Sequence, residues 1–464
     1  MATVDPHSNV QFQQTEGIRT LLGNPKRAII KLSIPMIIAM SVQTIYNFVD
    51  ALWVSGLGAD ALSAVGFFFP FFFMIMAIST GLGVGGSSAV SRRIGANDKA
   101  GADKVAAHTM IMMLIAAILV TLPFFIFIKQ IFLRMGAGAI SIPASQYGRI
   151  MFTGTIIIFF ANIASALLRG EGDMNRAMYA MMIGAGLNII LDPIFIYTLR
   201  LGVAGAAWAT LISLFISATI LFYWICIRRN TFISIRLTGF RFQRTIFNDI
   251  MRVAIPSTAM QLTMSFSILI LNLIAVKAGG TDGVAVFNTG WRVVMFATLP
   301  LIGMATAVTA VTGAAFGGAQ YQKLDTAYLY AIKIGVIIEL CIAAATYVLA
   351  PLITRLFTRS PEAARIAPDL MMFLRIMFVF YPMTALGMLS SSVFQGTGKG
   401  LYSLIMTLVR TIILAAPAAY ILAIILNIGL SGVWWGIVIG NSLGGIISFT
   451  WGRIYVTSLK KSKN

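Results

Sequence analysis

The residues in this chain that are able to do chemistry stand in apolar surroundings. Asp50 lies inside the run IIKLSIPMIIAMSVQTIYNFVDALWVSGL (29–57), which is long enough and apolar enough to cross a bilayer. An ionisable group in such a run is costly and demands a reason. Gln43, Tyr46, Asn47 and Asp50 fall at i, i+3, i+4 and i+7, so one helical face carries the polar groups near the acid. A second acid repeats the pattern. LNIILDPIFIY sets Asn188 and Asp192 four residues apart on one face, and Pro193 frees the carbonyl of Ile189 as a further oxygen ligand.

Counted from the inner ends of their helices, Asp50 lies about 23 residues in and Asp192 about 16, so at roughly 1.5 Å per residue both reach the outer half of the membrane. Thr210, about eight residues into a helix that starts outside, reaches a similar depth. Asp50, Asn188, Asp192 and Thr210 are therefore expected to meet. Their oxygens suit a hard cation such as Na⁺. Two carboxylates held together away from water do not both ionise easily. Such a site holds a proton, a sodium ion or an organic cation, each at the expense of the others, which is the physical basis of an antiporter. The alternative is a structural, hydrogen-bonded pair.

The elements that must hold these groups are membrane helices. The chain is 58% hydrophobic and 11% charged, with a mean hydropathy of +0.89. A soluble domain has about a quarter of its residues charged, so a polytopic membrane protein is expected. Twelve apolar runs fall at 27–56, 61–91, 104–128, 143–168, 176–199, 202–227, 249–278, 284–312, 326–354, 364–394, 401–426 and 430–457. With both termini cytoplasmic, Arg92, Arg93, Arg169, Arg176, Arg228, Arg229, Arg236, Lys460, Lys461 and Lys463 all lie inside, which satisfies the positive-inside rule. The net charge of +19 is thus mostly a topology signal for a multi-pass protein of the plasma (inner) membrane. The basic residues are scattered between apolar runs rather than clustered on one face, which argues against nucleic acid as a partner. Cys226 and Cys341 imply no disulfide framework, and His7 and His108 no metal centre. The first 24 residues lack the apolar core of a cleaved signal peptide.

The halves repeat. Leu32-Ser33-Ile34-Pro35 recurs as Val253-Ala254-Ile255-Pro256, Leu168-Arg169-Gly170 as Phe394-Gln395-Gly396, and Gly205 with Trp208 as Gly432 with Trp435, at a spacing of 221 to 227 residues. Six helices separate the copies, so the repeat is parallel, and substrate is expected between the halves. The expected organisation is a tail (1–24), a first lobe of six helices (25–227), a basic linker (228–248), a second lobe of six (249–458) and a C-terminal tail (459–464). Asp50 matches Asn272 in the second copy and Asp192 falls near Ala416, so only the first lobe carries the acids. Glu339, mid-helix, is expected to pair with Arg410 or serve a second cavity. Arg292 and Arg375 near helix ends read as snorkelling side chains. Gly81-Leu82-Gly83-Val84-Gly85-Gly86 has no preceding strand and reads as close helix packing. No phosphate-binding loop, His/Asp or Cys/His cluster supports an enzyme.

Twelve helices in two parallel halves, with Gln43-x-x-Tyr46-Asn47-x-x-Asp50, Trp53-Val54-x-x-Leu57-Gly58 and Arg169-Gly170-Glu171-Gly172-Asp173, resemble the multidrug and toxic compound extrusion (MATE) family over residues 25–458. Acids restricted to the first half are similar to its DinF-like branch. The resemblance implies an all-α, V-shaped membrane protein of two pseudo-symmetric six-helix bundles. It implies export of organic cations and lipophilic drugs in exchange for H⁺ or Na⁺, with no other cofactor. Asp50, Asn188, Asp192 and Thr210 would form the cation site. Gln43, Tyr46, Asn47, Tyr147 and Asn162 would line the first-lobe cavity, and Pro35 would be the point where the first helix bends. Small organic cations and membrane lipids are the expected partners, and a monomer the expected state. A lipid-linked oligosaccharide flippase of the same superfamily is the alternative; it would need a basic cavity, whereas the charges in this first bundle are acidic.

Overall fold

Several helices in this chain start at side-chain caps rather than at the ends of the apolar runs. The structure is a computed structural model that describes residues 15–228, 230–235 and 239–462. Among the basic and histidine residues discussed above, His7, Arg229, Arg236 and Lys463 lie outside the described residues, as does the tail before Thr15. The Asn24 side chain accepts from the N–H groups of Lys26 and Arg27 and opens α2 (Pro25–Ser55). Asp98 accepts from Gly101 N–H at 2.7 Å and opens α4 (Lys99–Arg134). Asp173 accepts from Arg176 N–H at 3.1 Å and opens α7 (Met174–Pro193). The helices therefore outrun the apolar stretches: the third run, expected over 104–128, is a helix of 36 residues.

A short helix, α1 (Glu16–Leu22), precedes the first crossing, where a plain tail was expected. Between α2 and α4 runs α3 (Ala59–Gly95); α5 (Ser141–Thr153) and α6 (Thr155–Gly170) follow α4, and α8 (Gly202–Phe222) follows α7. The second half comprises α9 (Arg244–Ala297), α10 (Leu299–Gly317), α11 (Tyr321–Phe357), α12 (Pro361–Ala364), α13 (Ala367–Ile376), α14 (Phe380–Gly396), α15 (Gly400–Leu408), α16 (Ala416–Tyr420) and α17 (Leu430–Lys461). Ten of the described helices are long and apolar enough to cross a bilayer, and two bent pairs, α5/α6 at 48° and α13/α14 at 52°, bring the number to twelve. Within α9 the backbone breaks at Gly279 and Gly280 (φ +61°), which separates the seventh crossing from the eighth where the expected runs part. At the first bend Leu211 packs directly on Gly154, where a Cβ would stand 2.1 Å from it.

The two bundles share a core at one end only. One apolar cluster runs through both, joining Leu32, Ile94 and Ile163 to Ile250, Ala307 and Leu389. Towards the other end the cores separate, into one around Phe287, Phe373 and Trp434 and one around Val54, Ile196 and Ala206. The joined end carries both termini and is called the inner end below. There α3 and α10 cross with backbones in contact: a Cβ on Gly95 would lie 1.8 Å from the Ala314 carbonyl oxygen, and one on Gly317 1.9 Å from that of Arg92. Arg92 pairs with Asp249 at 2.7 Å, and Ser88 donates to the Gln395 carbonyl at 2.5 Å. Helix α1 spans the same seam. Its Gly17 packs on Gly172 of the first half, and the Leu22 carbonyl accepts from Lys323 Nζ of the second at 3.1 Å.

The connection between the halves is docked rather than loose. Glu171 accepts from Ile233 N–H at 2.8 Å, Asp103 from Ser234 N–H at 2.7 Å, and His108 Nε2 from Gln243 N–H at 2.9 Å. Burial pushes the Glu171 carboxyl up to about 8, against the opposing pull of the Ile233 N–H; its other oxygen has no donor.

Candidate functional site

Asp192 is fully buried on α7, one turn beyond Asn188, and directly before Pro193. From there the chain continues as a π-helical turn, Ile194–Thr198, because the proline cannot donate to the α-helical ladder. Thr210 projects from α8 towards the same point. In the amide orientation that satisfies both neighbours, Asn188 donates to Asp192 Oδ2 at 2.8 Å and accepts from the Thr210 hydroxyl and N–H at 3.2 Å each. Asn188 is thus the bridge between the acid and the next helix.

Asp50, half-buried on α2, brings its carboxyl against that of Asp192. Asp192 Oδ1 has no donor of its own. Two carboxylates in contact, one of them lacking a donor, need a shared proton or a cation between them. The Tyr46 side chain lies against Thr210, and Tyr147 on α5 comes close to Asp50 and Tyr46, with its ring edge-on to Phe68 at 5.3 Å. Among the described residues no group of three or more His, Cys, Asp or Glu is placed to hold a metal ion. A sodium ion here would be held by two carboxylates, an amide and a hydroxyl.

The other expected site residues are more scattered. Gln43 is half-buried on α2, and Asn47 is exposed. Asn162, half-buried on α6, has an Nδ2 without an acceptor. Pro35 is buried, and α2 runs through it as one helix. It lines a cavity of about 230 Å³ at the inner end, beside Glu16, Lys31 and Gly172.

The second half lacks the acids at the matching depth. Asn272 accepts from Asn288 Nδ2 at 3.0 Å and donates to the Ile268 carbonyl, so an amide pair stands where the first half has Asp50. Glu339 forms no ion pair with Arg410 among the described residues; both its oxygens and one Arg410 nitrogen lack partners. Glu339 is buried on α11, whereas Arg410, on the π-helical turn Val409–Ala415, lays its guanidinium against the backbone at Gly387.

One contact at the site involves a residue given no role by the sequence, Tyr197. Tyr197, at the outer end of the π-helical turn, donates to the Trp53 carbonyl at 2.5 Å, and their rings meet edge-on at 6.2 Å. Gly56 makes room for that hydroxyl, since a Cβ there would stand 2.2 Å from it. This clamp ties the outer ends of α2 and α7 one turn beyond the acids.

Comparison with known proteins gives one consistent relationship. The MatE family model matches residues 35–194 and 256–421, once in each half. The multidrug export protein MepA of Staphylococcus aureus (strain MSSA476) is 28% identical over 424 residues, covering 90% of this chain and 91% of that protein. Among solved structures, a MATE in complex with MaL6 superposes with a TM-score of 0.94 at 50% identity, over 96% of this chain and 100% of that one. The outward-facing conformation of a multidrug resistance MATE family transporter of the MOP superfamily also gives 0.94, at 49% identity over 97% and 100% of the two chains.

Proposed function

The chain belongs to the MatE family, and from that premise we propose that it is a secondary active exporter of organic cations and lipophilic drugs driven by H⁺ or Na⁺. The observation that carries the reading is the meeting of Asp50 and Asp192, with Asn188 and Thr210 completing an oxygen-lined pocket. In this mechanism the pair holds a small cation while the cleft faces outward. Tyr46 and Tyr147 shield it from water. Entry of an organic cation from the other side competes for the same negative charge, so cargo and coupling ion exchange.

The alternation needs a seam that opens. The crossing of α3 on α10 at Gly95 and Gly317 supports a state closed at the inner end, with the outer faces of the two bundles apart. The concentration of Arg and Lys at that end supports placing it, with both termini, in the cytoplasm of a cell whose plasma membrane the chain crosses. That MepA is a multidrug export protein, and one solved relative a multidrug resistance MATE family transporter, favours export over the flippase alternative.

The test is transport of a cationic dye in proteoliposomes, with an imposed pH gradient or an imposed sodium gradient applied separately. Dye movement driven by at least one of them is the expected result. Movement that ignores both overturns the reading.

A further inference from the structure

The second half has a cavity of about 550 Å³ between α11, α13 and α17. Tyr347, Met371, Met372, Ile376 and Trp435 form much of its wall, and Arg375 is the one charged residue in it among the described residues. The cavity opens away from the interior of the bundle. Phe373 and Trp434 are fully buried with their rings 4.9 Å apart, facing the core; Arg375, two residues after Phe373, and Trp435, next to Trp434, are exposed instead, Trp435 by 44%. Along the same outer face of α11, Val348 and Leu352 are also exposed. In a chain that spans a bilayer this face meets lipid.

Arg375 lies eight residues into α13 from its outer start at Ala367, roughly 12 Å down at about 1.5 Å per residue. Measured from a helix start at the membrane surface, that is the depth of the lipid glycerol and the upper acyl carbons. A snorkelling arginine extends towards water. Here the guanidinium instead lies over the Tyr347 ring, 5.5 Å from its centre, at the wall of the groove, and no carboxylate pairs with it among the described residues. A planar fork held on an aromatic ring matches phosphate oxygens in pairs, and methionine side chains adapt to a flexible apolar chain. The volume falls in the range of ligand clefts, about 300–1,000 Å³.

We propose that this groove is a lipid site: it binds one glycerophospholipid with an anionic headgroup, phosphate on Arg375, and an acyl chain along Met371, Met372, Ile376 and Trp435. The complementarity of an uncompensated cation and an apolar trough selects this occupant over a neutral lipid. The site is remote from the acid pair and does not depend on the export reading.

The experiment uses the full chain in detergent, stripped of lipid and titrated with phosphatidylglycerol or phosphatidylcholine, with bound molecules counted by native mass spectrometry. One phosphatidylglycerol per chain, held about tenfold more tightly than phosphatidylcholine, is expected. Arg375→Gln should erase that preference, whereas Arg359→Gln, at an exposed position outside the groove, should leave it intact. In a second arm, which leaves Arg375 untouched, phosphatidylglycerol with brominated chains should quench tryptophan fluorescence in the native protein and quench it less after Trp435→Phe. Equal binding of the two lipids, an unchanged preference in Arg375→Gln, or quenching indifferent to Trp435 each overturns the proposal. Displacement of the lipid by millimolar inorganic phosphate also overturns it, since that would mark a free-anion site.

Discussion

Asp50 on α2 and Asp192 on α7 meet carboxyl to carboxyl although they stand 142 positions apart in the sequence, and Asn188 donates to the buried member of the pair. The contact is repulsive unless something positive sits in it. That requirement makes each acid a test of the other. Asp50→Asn should fold, with thermal stability equal to or above that of the native chain, because an amide supplies the donor Asp192 Oδ1 lacks. Gradient-driven dye transport by the same variant should fall by about tenfold or more, since an amide neither carries nor releases a proton. Native-level transport by Asp50→Asn would remove the acid from the coupling role.

Glu171 sits outside the membrane spans and provides a pH prediction. Its carboxyl is raised to about 8 in the fold, from an ordinary value near 4.5, by burial. A raised carboxyl takes up a proton on folding. Its stabilisation is therefore fully present below the ordinary value and is lost as pH rises through about 8, by a few kcal/mol as an order of magnitude. Glu171→Gln keeps an acceptor for the Ile233 N–H and removes the titration. Thermal unfolding followed from pH 5 to 9 should show a falling Tm for the native chain and a flatter profile for the variant. Parallel profiles would contradict the assignment.

The Tyr197 clamp is expected to act at a distance. Tyr197→Phe keeps the ring against Trp53 and removes only the hydrogen bond to its carbonyl, a loss of about 1 kcal/mol. The outer end of α2 is then freed one turn beyond Asp50. Transport should weaken through a changed apparent affinity for the coupling ion, with the maximal rate less affected. Kinetics of dye transport against H⁺ or Na⁺ concentration would separate the two, and an unchanged ion dependence would make the clamp purely structural.

How much of this was legible in the sequence follows from what each feature depends on. The acids were legible because a charge in an apolar run is conspicuous, and Asn188 with Asp192 because a four-residue spacing needs only helical geometry. The repeat gave two bundles and set Asn272 opposite Asp50 as its uncharged counterpart; its amide partner Asn288 came only with the structure. The clamp was not legible. A tyrosine near a helix end reads equally as an aromatic anchor at the membrane surface, and only the fold brings it to Trp53. The absence of a Glu339–Arg410 ion pair has the same origin: two opposite charges in apolar helices read as partners in a sequence, which says nothing of how the helices are rotated about their axes. Likewise, the five arginines of the linker drew attention to charge, whereas docking comes from Glu171, Asp103 and His108 on the helices it crosses.

The inner seam yields a prediction about conformation. Gly95 has its backbone on that of Ala314, and a side chain there would meet the carbonyl oxygen at 1.8 Å, with no flexible group to give way. Gly95→Val should therefore disfavour closure of α3 on α10. Distances between spin labels placed across the inner ends should lengthen in the variant, and transport should fall because one of the two states is penalised. An unaltered distance distribution would mean the seam tolerates a spacer that the packing forbids.

Pro35 gives the last prediction, and its sign follows from what the ring removes. Helix α2 is continuous through residue 35, yet proline has no N–H to donate to the Lys31 carbonyl, and its ring crowds that oxygen. The helix is thus weakest where it borders the inner cavity beside Gly172 and Glu16. Pro35→Ala restores the missing bond and relieves the crowding, which should raise the stability of the straight helix by about 1–3 kcal/mol. If α2 must bend at this point for Asp50 to part from Asp192, the stabilised variant should unfold at a higher temperature and transport more slowly, with its affinity for the coupling ion in the closed-seam state unchanged. If the proline serves only to end a packing clash, the variant should gain stability and keep its rate. Measuring Tm and initial transport rate on the same preparation separates these outcomes, because a bend that matters couples the two in opposite directions.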